Sequence, residues 1–243
     1  MTVEEMRKLC VDFMRYTKTA LWIPNSDYSF IMTNSGSNDS ISKGTIYGGL
    51  PYIGSGGFSN VYRLLDHMDP ETGVVDMTDI KKLPVGLFGN HCSGCTYWAW
   101  GRVVNSTEYG STDDMVQKRG FLRIGPYTYP DTLSKFDTDY TTTKVCTENG
   151  EQIMYQSYAQ LLPADGLVYY RNAGHVIMCV SVPHVEYIDG TDQIDGNKSY
   201  ITICEQGGKW VEGTNESGDT YQYKNSVDAE MTFAKLFKQG YLP

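Results

Sequence analysis

The chain has no long hydrophobic run. Nothing in its 243 residues approaches the ~20 consecutive apolar residues that a membrane-spanning helix requires. Positive charge is also in short supply. Lysine and arginine number 20 against 29 aspartates and glutamates, a net charge of −9. That balance excludes a generic nucleic-acid binder, because neutralising phosphates takes a basic face. There is no internal repeat, no low-complexity tract and no clear linker. The opening Met1-Thr2-Val3-Glu4-Glu5 lacks the apolar core of a signal peptide and reads as helix from the start.

What is present is enough for a packed core. Hydrophobic residues make up 40% of the chain, well above the range of disordered segments. Aromatics reach 13%, with 19 tyrosines, a composition met among exported proteins that handle glycans or peptides. The six cysteines, Cys10, Cys92, Cys95, Cys146, Cys179 and Cys204, form an even set. The chain is nevertheless far longer than scaffolds that depend on disulfides. Several of the six lie in apolar periodic stretches, where a free cysteine serves as a small buried hydrophobe.

Spacing predicts a first amphipathic helix through Val3, Met6, Cys10, Phe13, Met14 and Thr17. Thr2 and Glu5 form a capping box ahead of it, and it should stop before Trp22-Ile23-Pro24. Residues 25–60 carry short β-like runs, 61–90 read as a helix-and-loop insertion, and 92–104 look helical. Residues 120–147 suggest loops with short strands, and Glu151 to Leu162 a helix. Strand-length apolar runs follow at Gly166–Tyr170, His175–Val182 and Tyr200–Cys204. Val227 to Phe237 reads as helix, with Met231, Ala234 and Phe237 inward. Helices first and an antiparallel strand cluster later make an α+β pattern in a single domain.

Three places carry chemistry. The densest is Gly89-Asn90-His91-Cys92-Ser93-Gly94-Cys95-Thr96-Tyr97-Trp98. A turn pair followed by a helical stretch puts Cys92 at a helix N-terminus, where free N–H groups and the dipole favour a thiolate and can hold an oxyanion. The alternative is a CxxC pair of Cys92 and Cys95, in redox or zinc service. Without a second pair it is weak for zinc. The second place is Gly174-His175-Val176, a histidine opening a buried strand, downstream of the cysteine that it could activate. His67 and His184 sit in polar surroundings and read as surface residues. The third is Ile203-Cys204-Glu205-Gln206, where Glu205 or Gln206 could orient His175.

In this order the three resemble the NlpC/P60 family of papain-like cysteine peptidases and amidases. Cys92-Ser93-Gly94 matches its C-S-G at a helix start, Gly174-His175-Val176 its G-H-V strand, and Glu205 or Gln206 its third polar residue. Leu162-Pro163-Ala164-Asp165 looks like its L-x-P-G-D turn, and Gly49-Leu50-Pro51-Tyr52 like its G-x-P-Y segment. The related CHAP amidases offer another register, with Cys95-Thr96-Tyr97-Trp98 as C-T-x-[YW] and Cys95 as the nucleophile. Cys92 is better placed, since Cys95 would lie one turn inside the helix.

The resemblance implies a papain-like fold with the nucleophile helix packed on an antiparallel sheet. It covers residues 44–206, with an insertion at about 53–88, an N-terminal helical extension over 1–43, and a C-terminal hairpin and helix over 207–243. It implies a thiol hydrolase acting on an amide, typically a stem peptide of bacterial cell-wall peptidoglycan, in the cell envelope or outside the cell. Cys92, His175 and Glu205 or Gln206 would be catalytic. Tyr52, His91 and Ser93 would line the substrate and oxyanion side. No metal or organic cofactor is called for. The family usually has Asp where this chain has His91, an Asp that binds a free amine. A free substrate N-terminus should therefore not be required here unless Asp66 or Asp69 takes over. The other readings are a non-catalytic wall- or glycan-binding module on the same fold, and a thiol-redox protein using Cys92 and Cys95.

Overall fold

The computed structural model describes residues 1–32, 37–52, 64, 66–80, 91–104 and 110–243. Most of the expected insertion over 53–88, and the Gly89-Asn90 turn, lie outside the described residues. In chain order the elements are α1 (Val3–Thr19), β1 (Leu21–Pro24), β2 (Tyr28–Met32), β3 (Ser37–Ile41), β4 (Tyr47–Gly48), β5 (Val74–Val75), α2 (Met77–Ile80) and α3 (Cys92–Trp100). They continue with α4 (Thr142–Asn149), α5 (Glu151–Tyr158), β6 (Gly166–Tyr170), β7 (Gly174–Cys179), β8 (Tyr200–Thr214), β9 (Thr220–Thr232) and α6 (Phe233–Gln239). This is an α+β composition. Among the described residues no helix is long and apolar enough to cross a membrane.

The chain divides into two compact units, and the dividing points fall inside α1, α3, β8 and β9. The first unit comprises Met1–Val11, Ala99–Glu205 and Asp228–Pro243. Its sheet portion is antiparallel: β6 pairs with β7 through Tyr169↔His175, and β7 with β8 through Met178↔Cys204. Val145, Cys146, Met154, Tyr158, Leu167, Ile177, Phe233 and Leu236 form its core. The predicted capping box is in place: Thr2 N–H donates to Glu5 Oε2 at 2.7 Å, and Glu5 N–H to Thr2 Oγ1 at 3.2 Å.

Two expectations are corrected in this unit. Residues 120–147 contain no strand and end in α4. Asp137 Oδ1 accepts the N–H groups of Asp139 and Tyr140, turning the chain locally, and Thr141 Oγ1 accepts Lys144 N–H as the helix cap. Polar side chains that bond their own backbone in this way compete with strand pairing. The segment 227–237 is not one helix. Strand β9 runs to Thr232, whose hydroxyl caps α6 by accepting Lys235 N–H; Met231 is buried as expected, but on β9, and the inward face of α6 is Phe233 and Leu236 rather than Ala234 and Phe237.

The second unit comprises Asp12–Trp98 and Gln206–Val227. Its strands run in the order β5-β1-β4-β9-β8, with a separate β2–β3 ribbon. Pairing is antiparallel for β1–β4 but parallel for β1–β5 and β4–β9. The sheet is therefore mixed here, not antiparallel as the sequence suggested. Strands joined by long connections are free of the antiparallel constraint that a tight hairpin imposes. Trp22 anchors this unit, fully buried, stacked on Tyr47 at 5.0 Å and donating Nε1–H to Gly49 O at 2.9 Å.

Candidate functional site

Cys92 is the first residue of α3, as its position after a turn pair predicted, and it is 5% exposed. His91 caps the helix. Its Nδ1 accepts Gly94 N–H at 3.1 Å and lies 3.1 Å from Ser93 Oγ. An N–H donor pointed at Nδ1 requires that nitrogen to be unprotonated, so the ring proton sits on Nε2 and the Ser93 hydroxyl donates as well. The imidazole thus does for this helix what a capping carboxylate does elsewhere, without the negative charge. Thr96 Oγ1–H donates to Cys92 O at 3.0 Å. Tyr52 is half-buried. Asp69, a substitute anion in the sequence reading, accepts Glu71 N–H at 2.8 Å and Thr72 N–H at 3.1 Å, which hold its carboxyl below the usual range. That oxygen is committed to its own turn.

Cys95 is fully buried. Lys18 Nζ donates to its sulfur at 2.9 Å, and Thr17 Oγ1 lies 3.3 Å away. A nucleophile needs a path for its substrate, and a sulfur enclosed by Lys18, Thr17 and Met14 has none. The sequence reading missed Lys18. The signal was available: position 18 continues the Cys10, Met14 spacing of α1, so it falls on the stripe that packs inward.

His175 and Glu205 are brought together in the first unit. Nε2 and Oε2 are 2.8 Å apart, and each side chain is 23% exposed. Sheet register explains the pairing. With Met178 opposite Cys204, continuing the ladder sets Glu205 across from Ile177, on the same face as His175 and diagonal to it. Gln206, one residue on, has the opposite parity. It is fully buried, its Nε2–H donates to Leu50 O at 2.8 Å, and its Oε1 accepts from Lys18. Of the two candidates for a third residue, Glu205 is thus the one hydrogen-bonded to His175. Gly174 is required beside them, because a Cβ there would collide with the Thr112 side chain.

The turn before β6 is held from several sides. Asp165 Oδ1 pairs with Arg7 Nη1 at 2.7 Å, its Oδ2 accepts Leu162 N–H at 2.8 Å, and Arg7 also donates to Pro163 O. Ala164 is left-handed, with φ +78°, at the position where the resembling motif carries glycine. A cavity of about 370 Å³ opens against this turn, lined by Trp100, Phe121, Tyr129, Asp165, Val168 and Val176. By strand parity Val176 faces away from the His175 side, so this cavity lies on the face of β7 opposite His175.

Cys92 and Cys95 belong to the second unit, His175 and Glu205 to the first. None of the six cysteines is joined in a disulfide. Among the described residues no group of three His, Cys, Asp or Glu side chains is placed to hold a metal ion. No family model, no curated protein and no solved structure matches the chain.

Proposed function

We propose that the protein is a cysteine hydrolase of the papain-like type, cleaving an amide bond in bacterial cell-wall peptide outside the membrane. The observation that carries this reading is the His175–Glu205 hydrogen bond, on the sequence signature that predicted a base and its orienter. Glu205 accepts Nε2–H and so leaves Nδ1 as the basic nitrogen. In this reading His175 takes the proton of Cys92, the thiolate attacks the amide carbonyl, and the imidazolium returns the proton to the leaving amine. The N–H groups at the start of α3, with the Tyr52 hydroxyl, hold the oxyanion. His91 supports the expected tolerance of blocked substrates: its Nδ1 is spent on Gly94, and it offers no fixed negative charge to a substrate amine.

Purified sacculi and matched muropeptides with free and acylated N-termini test the proposal, with products read by mass spectrometry. Cys92→Ala should abolish release, His175→Ala should lower it ~10²–10⁴-fold, and Glu205→Gln about tenfold. Iodoacetamide should label Cys92 before the other thiols, and more slowly in His175→Ala. Sacculus binding without release would turn the reading to a wall-binding module. A strong demand for the free amine would remove the role given to His91.

A further inference from the structure

The second unit buries a lysine with no carboxylate. Lys18 is 2% exposed, and no Asp or Glu pairs with it among the described residues. Its Nζ has two acceptors, Cys95 Sγ at 2.9 Å and Gln206 Oε1. The amide orientation is fixed, because Gln206 Nε2–H donates to Leu50 O, so Nζ is the donor to Gln206 Oε1. A buried ammonium without a counter-ion is strongly unfavourable. Of the groups that Lys18 touches, only Cys95 can carry the negative charge. The helix ends suit this placement: Lys18 lies in the last turn of α1, at the negative end of its dipole, and Cys95 near the start of α3, at the positive end. The Thr17 hydroxyl proton goes to Met14 O at 2.8 Å, and Met14 Sδ closes the sulfur off at 3.6 Å. Burial keeps other proteins and bulky electrophiles from this sulfur, and an amine is already in contact with it. A water-sized oxidant is the class of reagent small enough to suit the site.

We propose that Lys18 and Cys95 are a modification site, at which hydrogen peroxide drives a covalent sulfenamide cross-link. The Cys95 thiolate attacks one peroxide oxygen, the O–O bond breaks, and sulfenic acid and hydroxide form. The hydroxide takes a proton from the Lys18 ammonium to give water. The freed amine attacks sulfur, forming the S–N bond and expelling the sulfenic hydroxyl, which leaves with a proton from nitrogen as a second water. Sulfur loses two electrons, and the peroxide is reduced to two waters. The link ties the last turn of α1 to α3 one turn from Cys92. It does not depend on the proposed hydrolysis.

The full-length protein is treated with hydrogen peroxide, denatured, alkylated at free thiols, acylated at free amines, digested and mapped by tandem mass spectrometry. The expected product is a species about 2 Da lighter, joining the Lys18 and Cys95 peptides and reversed by dithiothreitol. Lys18 should escape acylation in the same fraction in which Cys95 escapes alkylation. Lys18→Arg keeps the charge but should give no cross-link. A Cys92–Cys95 disulfide has the same mass change but leaves Lys18 fully acylated, and that result overturns the proposal. So does recovery of Cys95 as free thiol or as sulfinic or sulfonic acid. The wild-type peptide map decides the matter even if Lys18→Arg does not fold.

Discussion

At the residue scale the chain carries Ala164 where the L-x-P-G-D turn it resembles has glycine, and the structure shows the consequence. A Cβ in the left-handed region costs about 1–2 kcal/mol, and φ +78° lies in that region. Arg7, Asp165 and the Cys179 backbone hold the turn there: Ala164 N–H donates to Cys179 O, and Cys179 N–H to Asp165 O, each at 2.8 Å. Ala164→Gly relieves the strain but enlarges the unfolded ensemble by ~0.4–1 kcal/mol. The net expectation is a gain of roughly 0.5–1 kcal/mol, read as a rise of about 1–3 °C in Tm by calorimetry. A lower Tm would mean that the buried methyl contributes more by packing than its conformation costs.

At the scale of the element, helix ends are the best-specified features. The side-chain hydroxyls of Thr2, Thr141 and Thr232 each accept a first-turn backbone N–H. The C-terminus of α6 depends on Gly240, whose φ is +83° and whose N–H donates to Leu236 O and Phe237 O. A Cβ there would come within 2.8 Å of Thr143 Cα, so the helix ends against α4 backbone that cannot yield. Gly240→Ala should therefore cost more than ~2 kcal/mol, combining left-handed strain with overpacking. Urea denaturation would show this as a lower midpoint with an unchanged slope. Thr2→Ala, at an exposed capping box, should cost only about 0.5–1 kcal/mol by the same measurement.

At the scale of the whole molecule, the buried tyrosines and thiols of the first unit set a limit at high pH. Burial pushes Cys146 and Cys179 up to about 12, from an ordinary 9.0. Burial also holds Tyr127 and Tyr158 well above 10.0, with their hydroxyls donating to Pro243 O and Tyr241 O. These groups keep protons in the folded state that the unfolded chain releases. Their contribution is complete below about pH 9 and is lost as pH rises toward 12, at ~1.4 kcal/mol per pH unit for each group in its window. The urea midpoint should be level from pH 7 to 8.5 and fall steeply above 9. A midpoint still level at pH 11 would show that these groups titrate without unfolding.

The sequence by itself determined what local chemistry dictates. The capping box of α1, the position of Cys92 after a turn pair, the strand carrying His175 and the fully buried Ile201 and Ile203 all follow from spacing within a few residues. Parity along a strand is also local, so Glu205 and Gln206 had to face opposite ways. Which of them meets His175 was not local: it depends on the register of β8 against β7, set by partners 26 residues apart such as Met178 and Cys204. The parallel pairings β1–β5 and β4–β9 are likewise choices between distant segments, because two-residue strands such as β4 and β5 carry no pattern of their own. Lys18 shows the same division. Its place on the inward stripe of α1 is written in the spacing, but that it meets Cys95, 77 residues away, and no carboxylate among the described residues, was decided only when those segments packed against each other.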